Sequence, residues 1–261
     1  MTLDLNRDSK IPTDNCLYQC GGCRNCQPLT DYSTTSADGS TRIVLRDLES
    51  NLIEEIEGAD IVLGCVAWLT SMPILAALAE RDAVSIVVQK EDFLRPDLGS
   101  PGRWAATLRN AYRRLPDMER HTLRGLVGAL SMCSDPTLDA VRCVGNHNKD
   151  RAPAFPRSHH KFVVFCRWET ITIECGHALA GAFGMQYCQN PCTDRELRPY
   201  RVWTGSFNFT ANAVRSFENA VVMDDPAIVD AYFNEYSQIV GISEPLDWRT
   251  TWSEPQWRIG T

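Results

Sequence analysis

A chain of 261 residues with 44% apolar and 23% charged side chains has an ordinary globular make-up, long enough for one large α/β domain or two small ones. This composition excludes a disordered tail, a collagen-like fibre and a disulfide mini-protein, and no apolar run approaches the roughly 18 residues of a membrane helix. With a net charge of -7, any polyanion site has to be a local positive patch on an acidic body.

Residues 1–15 are polar and lack the apolar core of a signal peptide, so a soluble, cytoplasmic protein is expected. Residues 1–39 carry Cys16, Cys20, Cys23 and Cys26 among turn formers and read as a small Cys-rich, metal-binding appendage. An α/β pattern begins near Thr41. Val44, Leu48, Leu52 and Ile56 recur every four residues and predict a helix stopped by Gly58. Ile61 to Trp68 and Val84 to Val88 are apolar runs of strand length, and a helix from Pro73 lies between them. Pro101 opens another helix, with Trp104, Leu108, Ala111 and Leu115 on one face. Strands are expected at 139–144, at Phe162–Phe165 with 170–174 as hairpin partner, from Arg201 into a turn at Phe209, and at Ala220–Met223. A helix over Pro226–Val240 follows. The alternation predicts a mixed, mostly parallel central sheet with helices on both faces. The catalytic domain would span 40–243, with a Cys/His insertion at 168–199 that is irregular over 175–199. The segment 244–261, with three tryptophans, would pack on it as a tail.

Chemistry concentrates in Ser158-His159-His160-Lys161-Phe162-Val163-Val164-Phe165 and Thr204-Gly205-Ser206-Phe207-Asn208-Phe209-Thr210. On a strand, alternate residues share a face, so His159 and Lys161 point one way and His160 the other. The same rule pairs Ser206 with Asn208. Neighbouring strands would gather an imidazole, an ammonium, a hydroxyl and a carboxamide. This set suits a phosphodiester: the imidazole attacks phosphorus and the others donate to non-bridging oxygens. The sequence holds no carboxylate cluster of the kind that binds catalytic magnesium, so metal-independent chemistry is expected.

These segments resemble the phospholipase D superfamily, whose signature is His-x-Lys, four residues, Asp, then Gly-Ser-x-Asn. His159-x-Lys161 and Gly205-Ser206-x-Asn208 match it. The trailing Phe209-Thr210 and Glu218-Asn219-Ala220-Val221-Val222 look most like the small bacterial endonuclease branch. The resemblance implies a phosphodiesterase, here a nuclease acting on DNA or RNA through a phosphohistidine on His159. Lys161 and Asn208 would bind phosphate, Ser206 would support them and Glu218 would orient His159. Only one copy of each motif occurs, and single-copy members form homodimers in which two facing histidines divide the work. Two departures stand out. Cys166 occupies the Asp position, which is structural in the family, so activity should survive. The 38 residues from 167 to 204 replace a gap of about six, and hairpin tips tolerate such insertions. Lys149, Arg151, Arg157 and Lys161 against Asp150 form a positive strip suited to a nucleic-acid backbone. A phospholipid phosphodiesterase or phosphatidyl transferase is the first alternative. A catalytically silent, zinc-containing nucleic-acid-binding module is the second.

The 11 cysteines cannot all pair, and clustered ones in a cytoplasmic chain suit metal. Cys16-x3-Cys20-x2-Cys23-x2-Cys26 can close a structural Zn2+ site, with an iron–sulfur cluster as the alternative. Cys175-x-His177 and Cys188-x3-Cys192 are a second candidate zinc site inside the insertion. Cys65, Cys133 and Cys143 lie in apolar runs and read as core.

Overall fold

The structure is a computed structural model that describes residues 3–13, 26–94, 102–119, 137–146, 154–173 and 192–246. In chain order the elements are α1 (Leu5–Asp8), β1 (Lys10–Pro12), β2 (Cys26–Pro28), β3 (Thr34–Thr35), β4 (Thr41–Val44), α2 (Leu48–Glu57), β5 (Ile61–Val66), α3 (Met72–Ala79), β6 (Ala83–Gln89) and α4 (Arg103–Tyr112). They continue as β7 (Met118–Glu119), β8 (Thr137–Leu138), β9 (Val141–Val144), β10 (Lys161–Ile173), β11 (Cys192–Gly205), β12 (Ala220–Met223), α5 (Pro226–Gly241) and β13 (Glu244–Pro245).

Among the described residues one nine-stranded mixed sheet dominates, in the order β13-β9-β6-β5-β10-β11-β12-β4-β3. Strands β5, β6 and β9 run parallel. Their connections carry helices, which bring the chain back to the starting end. Every other pair in the sheet is antiparallel. The expectation of a mostly parallel sheet is therefore corrected. It extended the strand–helix rhythm of the first half to a second half in which no α-helix lies between β11 and β12.

The two faces of β10 show how the layers form. Val163 and Phe165 join a core cluster under α2, α3 and α4, while Phe162, Val164 and Cys166 join a second cluster under α5. Helices thus cover both faces. Strands β5 and β6 are buried throughout, as continuous apolar runs in a covered sheet should be. Gly64 has no room for a side chain, because a Cβ would lie 2.4 Å from the carbonyl oxygen of Phe162. The helix expected from Val44 begins only at Leu48, since Val44 belongs to β4 and Asp47 turns the chain at φ 51°. Trp104, expected on the buried face of α4, is half-exposed and rests edge-on against Phe93.

The hairpin around the insertion also differs from expectation. Residues 170–173 do not fold back on 162–165; they continue β10, whose partner is 192–205. Residues 192–199, expected as irregular, are strand. Strand β5 pairs with β10 only as far as Cys166, so beyond it the hairpin runs on as a two-stranded arm. In the N-terminal segment, β1 pairs with β2 so that Pro12 faces Cys26, and β3 extends the main sheet alongside β4.

Candidate active site

Strand register brings the two motifs to one end of the sheet. Lys161 opposes Val66 at the carboxyl end of β5, Phe162 opposes Thr204 near the end of β11, and Gly205 opposes Ala220 at the start of β12. Residues just outside these strand ends therefore share one crevice, where open α/β sheets generally place their ligands. Gly205 serves this approach directly: a Cβ would lie 2.2 Å from the carbonyl oxygen of Asn219.

His159 and His160 point to opposite sides, as period-two alternation requires. His160 lies 3.8 Å from Glu235 of α5 and edge-on to Phe162. His159 stays with Lys161, whose Nζ is 3.2 Å from both ring nitrogens and donates to the His159 carbonyl oxygen at 3.1 Å. Lys161 is buried, with 8% of its surface exposed. Among the described residues its ammonium makes no ion pair, and burial lowers its pKa while the nearby charge of Glu218 works to raise it. Burial also lowers the pKa of His159, followed by the charges of Lys161, Arg157 and His160. An imidazole that resists protonation keeps a lone pair free for attack, and the Lys161 ammonium can donate only to an unprotonated ring nitrogen.

The second motif is stitched together from both sides. The Ser206 hydroxyl donates to the Glu218 carboxylate. The Ser206 amide reaches the Asn219 carbonyl at 3.1 Å, and the Asn219 amide returns to Ser206 Oγ at 3.0 Å. The Phe209 carbonyl accepts from the amides of Thr70 and Ser71 at 2.8 and 2.9 Å, which fixes this loop to the chain leaving β5. Between these anchors sits Asn208, whose Oδ1 is buried with no hydrogen-bond partner among the described residues. A half-turn of the amide exchanges its oxygen and nitrogen, so the group can offer a donor. Glu218 thus contacts Ser206 and, through its field, Lys161; its carboxylate makes no hydrogen bond to the His159 ring.

Three contributors were invisible in the sequence. Gln89, at the end of β6, accepts from the Ser158 amide at 2.7 Å and donates to the carbonyls of Lys90 and Asn146 at 2.9 and 2.8 Å. It thereby holds the chain one residue before His159. Gly145, at φ +95°, allows this, since a Cβ there would lie 2.5 Å from Gln89 Oε1. Trp68 stands edge-on to the His159 ring at 6.0 Å, with its indole nitrogen bonded to Glu91. No motif marks these residues, because they come from strand ends far away in the chain.

Cys166 is fully buried in the α5-side cluster, and burial pushes its thiol pKa up. Five residues of strand, about 17 Å, separate it from Lys161. The departure at this position therefore lies in the core and away from the crevice, and a neutral thiol suits an apolar site that would penalise a carboxylate. Of the proposed metal ligands, Cys16, Cys20, Cys23, Cys175, His177 and Cys188 lie outside the described residues. Cys26 begins β2 and Cys192 begins β11. Among the described residues no three His, Cys, Asp or Glu side chains gather as a metal site. No helix among them is long and apolar enough to cross a membrane.

No protein-family model matches the sequence. The chain is 27% identical over 235 residues to the uncharacterized protein L381 of Acanthamoeba polyphaga mimivirus, across 85% of this chain and 72% of that protein. Among solved structures it is similar to Nuc from Salmonella typhimurium, described as a phospholipase D family member, with a TM-score of 0.43, 16% identity and coverage of 81% of this chain and 99% of that one. It is also similar to NucT from Helicobacter pylori, with a TM-score of 0.42, 11% identity and coverage of 78% and 98%. With both TM-scores under 0.5, neither likeness decides the chemistry, and the residue roles rest on the geometry of the crevice.

Proposed function

We propose that the chain is a phosphodiesterase that hydrolyses DNA or RNA through a phosphohistidine on His159, without a catalytic metal and as a homodimer. One observation carries this reading: a buried ammonium that makes no ion pair among the described residues, Lys161, held 3.2 Å from an imidazole whose protonation is disfavoured. Such a pair offers a nucleophile and an anion-binding charge within one ester's reach. Asn208 would supply a second donor to the phosphoryl oxygens, and Ser206 with Glu218 would hold the Asn208 loop against Lys161. In the first step a ring nitrogen of His159 bonds to phosphorus, the P–O bond to the leaving group breaks, and that oxygen takes a proton from the facing His159 of a second subunit. In the second step water passes a proton to that histidine and attacks phosphorus, and the P–N bond breaks. Nitrogen donors here do the charge stabilisation a cation would otherwise provide.

The zinc proposal for the cysteines rests on their spacing and on the β1–β2 pairing, which closes the segment carrying Cys16, Cys20 and Cys23 at Pro12 and Cys26. Elemental analysis of purified protein tests it. The function is tested by a cleavage panel on single- and double-stranded DNA and RNA and on phospholipid micelles, with EDTA, using the unmutated chain and His159→Ala. Cleavage of nucleic acid that survives chelation and vanishes in the variant is expected. Turnover of micelles alone, or full activity in His159→Ala, would overturn the proposal.

A further inference from the structure

Beside the motif loop lies a cavity of about 760 Å³ that the proposed chemistry does not use. Its walls include Thr70 and Ser71, whose amides bind the Phe209 carbonyl, and Ala211, which follows Asn208 by three residues. The loop carrying Asn208 is therefore a shared wall, with the crevice on one side and the cavity on the other. Thr70 is two residues from Trp68, which touches the His159 ring. Two residues at about 3.6 Å each, added to the 6.0 Å between the Trp68 and His159 rings, put the cavity wall within about two nucleotides' length of the reacting centre.

The cavity has a specific chemical character. Trp104 lines it, is 51% exposed, and is braced by Phe93 at 5.3 Å, which leaves ring surface open to a flat partner. Arg103 and Arg215 also line it, and among the described residues neither guanidinium is engaged in an ion pair or a side-chain hydrogen bond. The acid on the wall, Glu49, is occupied by the Ser71 hydroxyl. An aromatic platform with two uncommitted arginines on a chain of net charge -7 is a local reversal of sign, suited to a flat, apolar ring joined to an anion.

Resting on the nuclease reading, we propose that this cavity holds an unstacked nucleotide within about two nucleotides of the scissile phosphate, with its base on Trp104 and its phosphates at Arg103 and Arg215, so that the substrate is single-stranded nucleic acid. A base inside a duplex has both faces stacked and its edge paired, and cannot present a ring to Trp104 without being extruded. Single strands offer such faces freely, and stacking platforms beside basic tracks are how proteins hold them.

The test measures binding of a labelled 12-nucleotide oligothymidylate and of a 12-base-pair duplex to His159→Ala, which binds without turnover, and to the same chain with Trp104→Ala or Arg215→Gln added. Trp104→Ala should weaken oligothymidylate binding about 5- to 100-fold, the range for losing one base-stacking platform. Arg215→Gln should flatten the slope of log affinity against log salt by about 0.7, the value for one phosphate contact on a single strand. Duplex binding should be weaker and insensitive to Trp104→Ala. Unchanged oligothymidylate affinity and salt slope in both variants, at an unchanged melting temperature, would overturn the proposal, as would equal losses on the duplex. The nuclease reading fails separately, if the unmutated chain does not hydrolyse bis(4-nitrophenyl) phosphate.

Discussion

Two lysines are buried at the same end of the sheet, and their surroundings differ. Lys90, just beyond β6, is ion-paired with Glu244 of β13, itself buried, while Cys143 beside them bonds to the carbonyls of Glu244 and Pro245. Lys161, at the start of β10, faces the ring and carbonyl of His159, and Glu218, whose charge acts on it, is occupied by Ser206. Burial lowers the pKa of both. The first charge is neutralised within the fold and locks the last strand to β9. The second is left for something that arrives. A buried charge facing a carboxylate is a structural pair, whereas one facing an imidazole costs stability until an anion binds.

This contrast can be broken at either lysine. The largest effect is expected at Lys161: Lys161→Met should reduce turnover by about 10² to 10³, the scale for losing one preorganised charge at a transition state, with stability unchanged or improved. Steady-state rates and thermal unfolding on the same preparation check both halves. At the other lysine the sign reverses. Glu244→Gln should cost roughly 3–5 kcal/mol of stability by removing the buried carboxylate that faces the Lys90 ammonium, yet leave the rate per folded molecule intact, which denaturant titration combined with activity measures.

A subtler change sharpens the Lys161 side. Because burial and neighbouring charges lower the pKa of His159, the rate should rise with pH through an inflection below the ordinary histidine value of about 6.5. The neutral ring is the nucleophile, so activity is lost as pH falls through that point, and because the facing His159 must carry the proton it gives to the leaving oxygen, activity is lost again at higher pH. Arg157→Gln removes one of those charges and should move the acid limb to higher pH, which a pH–rate profile reads directly. The smallest effect is expected at Cys166, where Cys166→Ala should leave the rate unaltered, because the thiol lies in the core about five strand residues from Lys161. A large loss in that variant would show the crevice to be coupled to the far end of β10.

Much of this was legible before any coordinates. The opposite orientation of His159 and His160 follows from strand periodicity alone, and the buried strands β5 and β6 announce themselves as apolar runs. Sheet direction was not legible, since the described chain between β11 and β12 holds no α-helix of the kind that signals a parallel return. The paired arm also escaped notice. Arg167, Glu169, Arg195 and Arg198 are exposed there, so the strands carry little of the alternation that burial of one face imposes on sequence. Gln89 and Trp68 were missed for another reason. They act through a backbone amide and a ring edge, contacts that depend on strand order and leave no local pattern. Glu218 bonds to Ser206 because the hydroxyl follows directly on Gly205, where β12 comes closest.

The central claim is a covalent bond between His159 and phosphorus, and trapping it is the most direct test. The chain should be mixed with an internally 32P-labelled oligonucleotide, quenched in alkali within milliseconds and digested. Base-stable, acid-labile label on the peptide containing His159, absent in His159→Ala, is the predicted result. Sustained turnover with no protein-bound label, or label on another residue, would contradict the account.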